Sequence, residues 1–174
     1  MRPYMGDKEI QLFKNYIEKC DRYFEWGCGG STYIVPYKYK VSIDSSQDWI
    51  NKIKKDISSN FIYIDIGPVG DWGMPLITDA RFPDYSLAFR ERYEDTDLIL
   101  IDGRFRVACA LQVFLSGNEG YVLLHDSHRE EYDPIYEFFD IIESVDTLKV
   151  LKRKSNGDCG KAWEFWEDFK FDPR

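Results

Sequence analysis

A chain of 174 residues is long enough to bury most of its apolar surface in one domain without metal or disulfide staples. Its 23 Lys plus Arg stand against 31 Asp plus Glu, a net charge of −8, so its long-range field repels phosphate backbones and nucleic acid is set aside as a partner. Cys20, Cys28, Cys109 and Cys159 form no C-x-x-C pair, and no apolar run reaches the ~18 residues a bilayer span needs, which sets aside zinc fingers, disulfide frameworks and a membrane and leads us to expect a soluble, cytoplasmic protein.

In chain order, Ile10, Phe13, Tyr16 and Ile17 recur at helical spacing behind Asp7, a candidate N-cap, which predicts a helix over residues 8–20. "RYFEWG" (22–27) follows as a short aromatic strand ended by glycines, and "STYIVPYK" starts a helix that Pro36 cuts short. "YKVSIDSS" reads as a second strand, "SSQDWINKIKKDI" as a helix with Trp49, Ile50, Ile53 and Ile57 on one face, and "NFIYIDIG" as a third strand. Residues 67–86, with three Pro and three Gly in an aromatic setting, are too long and apolar for a passive connector and suggest a binding loop. Then come a helix in "SLAFRERYED", a strand in "TDLILIDG", a helix in "RVACALQVFLSGN" and a strand in "GYVLLHDS". The end reads differently: a helix over residues 134–144, then "DTLKVLKRK" and "KAWEFWEDF" as two strands joined by the turn "SNGDCG". Alternating strands and helices imply a single α/β domain over residues 1–174, with a mostly parallel sheet, helices on both faces and an antiparallel pair at its C-terminal edge.

Ligands of an open α/β sheet sit beyond the carboxyl ends of its strands, so the residues that follow each strand carry the functional information. Those ends hold Glu25 to Gly30, Asp44, Asp65, Asp102 and Asp126, an accumulation of acids that a purely structural sheet does not require. The glycine loop admits a dinucleotide reading, but Thr32 stands at the third glycine position of that fingerprint and Glu25 would repel a phosphate. An acid ahead of the loop suits a ligand with a positive amine and no phosphate, such as S-adenosylmethionine. Asp44 is then placed to accept the ribose hydroxyls, with Asp65 and Ile66 on the adenine side.

"EWGCGGST", "VSID", "DLILIDG" and "YVLLHDS" together resemble the successive motifs of class I S-adenosylmethionine-dependent methyltransferases, over nearly the whole chain. The resemblance implies a Rossmann-like, seven-stranded fold in which Glu25, Gly27, Gly29, Gly30 and Ser31 cradle the methionine part, Asp44 the ribose, and Asp102 stands beneath the methyl group. It also implies, from the family's small-molecule O-methyltransferases, that Asp102 and Asp126 hold a magnesium ion, although Ser127 stands where a second acid of a pair belongs.

For O-methyl transfer the base candidates are His128 and Asp102, while His125 reads as the end of a buried strand. Arg104 and Arg106, one residue apart, would point the same way in an extended turn and grip a carboxylate, a phosphate or a nucleotide-sugar diphosphate. Trp72, Phe82 and Tyr85 are candidates for stacking on a sugar or on adenine. The expected acceptor is a small molecule or glycan, and a homodimer stays open. Two rival readings are a non-catalytic adenosylmethionine- or nucleotide-binding module and an NAD-dependent oxidoreductase.

Overall fold

The computed structural model describes residues 1–36, 39–89 and 95–174. Its centre is a seven-stranded sheet in the order β3-β2-β1-β4-β5-β7-β6. The strands are β1 (Arg22–Trp26), β2 (Tyr39–Asp44), β3 (Asn60–Tyr63), β4 (Leu98–Ile101), β5 (Tyr121–Leu124), β6 (Phe139–Val145) and β7 (Leu148–Arg153). The first five run parallel, and β7 pairs antiparallel with both β5 and β6. This is the mostly parallel α/β sheet with a closing antiparallel pair that the alternation implied.

Among the described residues six α-helices cover it: α1 (Asp7–Ile17), α2 (Gly30–Ile34), α3 (Gln47–Ile53), α4 (Phe82–Leu87), α5 (Arg106–Ser116) and α6 (Cys159–Phe169). Strand alternation sends Phe24, Trp26, Ile99, Ile101, Val122 and Leu124 to one core, shared with α4, α5 and α6. Tyr23, Leu98, Leu100 and Leu123 go to the other face, beneath Leu12, Phe13, Tyr16 and Ile17 of α1. No helix among the described residues is long and apolar enough to cross a membrane.

The C-terminal third differs from its sequence reading. Residues 134–144 are not a helix: a 3-10 stretch at Glu130–Glu137 leads straight into β6, the sheet's edge strand. Only a two-residue turn, Asp146 and Thr147, separates β6 from β7, with Asp146 at φ 50°. Nor is "KAWEFWEDF" a strand. The Asp158 carboxylate accepts from the Gly160 and Lys161 amides at 2.8 and 3.1 Å, and this cap starts α6. Ala162, Phe165, Trp166 and Phe169 then meet the core at i, i+3, i+4 and i+7, helical spacing that an aromatic-acid alternation had masked.

Two smaller differences lie at helix starts. The N-cap of α1 is Gly6, one residue before Asp7, and its amide donates to Glu9 Oε2 at 2.8 Å. The helix expected in "SLAFRERYED" is found as α4 from Phe82 to Leu87, and residues 90–94 of that stretch lie outside the described residues.

Candidate functional site

Strand order reverses between β1 and β4, which places the crevice of this sheet at their carboxyl ends. There the two chains nearly touch. A Cβ on Gly27, which has φ 87°, would stand 2.7 Å from the Asp102 carbonyl oxygen, so only glycine fits. Its amide donates to Ile43 O at 2.8 Å, joining the loop to β2.

The glycine loop is anchored by carboxylates on either side. Asp44 Oδ2 accepts the Cys28 amide at 3.2 Å and Oδ1 accepts the Ser46 amide at 2.8 Å. Burial pushes the Asp44 pKa up to about 6, against the bonds that favour its charge. Glu25 does not face a ligand. It is fully buried, and its carboxylate accepts from the hydroxyls of Ser42 (2.6 Å), Thr32 (2.5 Å), Ser31 (2.7 Å) and Tyr23 (3.0 Å). Burial raises its pKa, and the four hydroxyl bonds pull the other way. Glu25 and Ser31 therefore bond each other inside the loop's support instead of reaching a cofactor amine.

Above the loop the two sides differ. Nothing lies within 4 Å of a Cβ placed on Gly29, whereas one on Gly30 would meet the backbone of Arg2 and Pro3 at 2.3 Å. The N-terminal segment thus crosses the loop in direct backbone contact. Tyr4 continues across to Trp72, with ring centroids 5.6 Å apart, and Trp72 is 76% exposed. Phe82 and Tyr85, expected with Trp72 as a stacking set, are buried in the core. Ile66 is buried there as well, so its side chain is not offered to adenine, and Asp65 is half-exposed and ion-paired with Arg81.

The acids of β4 and β5 converge because Ile101 and Leu124 are in register, which makes Asp102 and His125 the next neighbours across the sheet. His125 Nδ1 stands 2.9 Å from Asp102 Oδ1, and His125 is 6% exposed. Burial opposes its charge, but the hydrogen bond and field of Asp102, aided by Asp126, hold its pKa above the ordinary value. With Nδ1 engaged, Nε2 is left for the far side, 3.8 Å from Glu9 Oε2. His128 is exposed on the following turn. The sequence reading favoured His128 because His125 ends a buried strand, whereas strand register, readable by aligning the ends of "LILI" and "YVLL", brings His125 beside Asp102.

Arg104 and Arg106 do not act as a pair. Phe105 between them has φ 54°, a strained value for a buried aromatic residue, so the two do not follow each other in an extended turn. Arg106 is 2% exposed and lies inside the acid cluster, while Arg104 Nε is buried with no hydrogen-bond partner among the described residues. Burial, helped by the Arg106 charge, lowers the Arg104 pKa. Asp126, at φ 56°, bonds Arg129 Nη2 at 2.9 Å. Burial works its pKa upward, but Arg106, His125, Arg129 and His128 together hold it below the usual carboxylate range.

Magnesium does not fit the expected pair. Asp102, His125 and Asp126 do bring ligand atoms within 4.8 Å of one another, but Arg106 Nη2 already lies 3.3 Å from Asp102 Oδ1 and 3.2 Å from Asp126 Oδ2. A cavity of about 560 Å³ opens beside this corner, beneath the N-terminal segment, lined by Arg2, Tyr4, Glu9, His125, Asp126 and Thr147 among others.

No protein-family model matches the chain. None of the curated proteins matches it either. Among solved structures, a methyltransferase-like protein from Silicibacter pomeroyi DSS-3 is similar over 99% of both chains, with a TM-score of 0.87 and 28% sequence identity. The site at the carboxyl ends of β1, β2, β4 and β5 is therefore set in a methyltransferase-like α/β fold.

Proposed function

We propose that the chain is an S-adenosylmethionine-dependent methyltransferase that methylates a hydroxyl of a small polar acceptor, a sugar of a glycan or nucleotide-sugar being the acceptor class we favour. The observation that carries this reading is the His125–Asp102 pair at 2.9 Å, set between the glycine loop and the cavity. When bound, S-adenosylmethionine supplies a methyl group on a positively charged sulfonium. The chain's residues fit that ligand in three respects: the space over Gly29 is open, Asp44 offers a carboxylate for ribose hydroxyls, and Asp102 brings negative charge near the sulfonium position. Asp44, at 9% exposure, accepts the Cys28 amide and thiol on Oδ2 and the Ser46 amide on Oδ1, and we assign its remaining acceptor capacity to a ribose hydroxyl.

An acceptor hydroxyl is a weak nucleophile until a base takes its proton. Asp102 accepts the His125 Nδ1 proton, which fixes the tautomer with its lone pair on Nε2, 3.8 Å from Glu9 Oε2, and both residues line the cavity. His125, not His128, is therefore our base, and Asp102 orients it. Arg104, with Nε unpartnered, is the residue we assign to an anionic part of the acceptor. Four free cysteines, three of them buried, support a cytosolic location. The charge of −8 supports an acceptor other than nucleic acid.

Transfer of labelled methyl to a panel of sugars, nucleotide-sugars, phenols, amines and RNA tests the acceptor class. His125→Gln should lower turnover on the order of 10² to 10⁴-fold while leaving cofactor affinity intact. A variant that turns over like the wild type would remove His125 from the mechanism. Labelling of amines or RNA alone would replace the hydroxyl acceptor.

A further inference from the structure

We propose that the Arg106 guanidinium permanently fills the place of a divalent cation between Asp102 and Asp126, so that this corner binds no metal. By distance alone the corner is a metal site, since Asp102, His125 and Asp126 each bring a ligand atom within 4.8 Å of the others. The centre of that set is already held by a positive group. Arg106 Nη2 lies 3.3 Å from Asp102 Oδ1 and 3.2 Å from Asp126 Oδ2.

The guanidinium is locked there. Nε donates to Gly103 O at 3.0 Å and Nη1 to His125 O at 2.6 Å, so each carbonyl that follows β4 or β5 fixes one edge of the fork. Its carbon lies 5.6 Å from the centroid of the Tyr132 ring. With 2% exposure, Arg106 has no solvent route by which to swing aside, and leaving would strand buried donors and acceptors. Asp126 is shared by two guanidinium groups, because Arg129 Nη2 also bonds Asp126 Oδ2 at 2.9 Å. A hard dication brought between Asp102 and Asp126 would have to displace Arg106 Nη2, which lies within 3.3 Å of both carboxylates. It would also have to accept an imidazole where magnesium prefers oxygen.

This inference concerns the corner proposed above for the reaction, but its test does not depend on turnover. Manganese(II) titrated into the full chain is followed by the electron paramagnetic resonance signal of the free ion. The wild type should leave that signal undiminished up to millimolar metal. Arg106→Met removes the charge and the donors, and should bind manganese at least tenfold more tightly than the wild type, with Arg106→Met/Asp126→Asn losing that gain. One equivalent bound by the wild type and released by Asp126→Asn would overturn the proposal, as would a folded Arg106→Met protein as unresponsive as the wild type. If circular dichroism shows Arg106→Met unfolded, the wild-type titration, with Asp126→Asn as its control, decides alone.

Discussion

At the scale of single residues, Asp44 carries a consequence that separates it from an ordinary helix-capping acid. Its pKa of about 6, against 3.8 for the free side chain, means that the native chain holds a proton the unfolded chain gives up. Stability from this group therefore falls as pH rises from about 4 to 6, by roughly 3 kcal/mol when the shift is converted at about 1.4 kcal/mol per unit. Ribose hydroxyls that donate to the carboxylate favour the ionised form. Binding should therefore release a proton, and affinity for S-adenosylhomocysteine should rise by up to about tenfold between pH 5 and pH 7. Asp44→Asn should flatten that profile, and a wild-type affinity independent of pH would remove Asp44 from the binding surface. His125 works in the same sense, through a different partner. Its raised pKa makes the protonated form a stabilising partner of Asp102, fully so below pH 6.5 and lost as pH passes the raised value, so turnover should appear as that stabilisation disappears.

At the scale of elements, the N-terminal segment and α6 show where a sequence reading succeeds and fails. The strand-end acids were legible because each follows an apolar strand of recognisable composition, and Asp44 and Asp102 lie where that reading put them. Glu25 was misplaced in role because its neighbours Ser31, Thr32 and Ser42 come together only when α2 and β2 pack beside β1. The strap of residues 1–4 gave no periodic signal at all. Its position follows from Gly30, whose missing side chain leaves room for the Arg2 and Pro3 backbone. Gly30→Val should therefore lift the strap off the glycine loop. Amide exchange at residues 2, 4 and 5 should rise at least about tenfold, the strap being far less protected than the core strands, with protection of β1 and β4 little changed. Equal exchange in variant and wild type would show that the strap is held elsewhere, through Tyr4 and Trp72. α6 was misread because "WEF" at its start alternates aromatic and acidic residues as a strand does, and the Asp158 cap and the contact with α5 decide for a helix.

At the scale of the whole molecule, the parallel register of β1, β2, β4 and β5 gathers residues separated by up to 100 positions in sequence onto one edge of the sheet. The fold was largely legible because alternation of strands and helices leaves few topologies. The chemistry was partly legible, since it depends on register across β4 and β5 and on the buried course of Arg106. The central claim is that this edge is a cofactor site, with Asp44 as its ribose anchor. Isothermal titration of S-adenosylhomocysteine into the wild type and Asp44→Ala tests it most directly. The account predicts one equivalent bound by the wild type and a loss of at least about tenfold in the variant, or about 1.4 kcal/mol. No heat with the wild type, or equal affinity in both proteins, would contradict it.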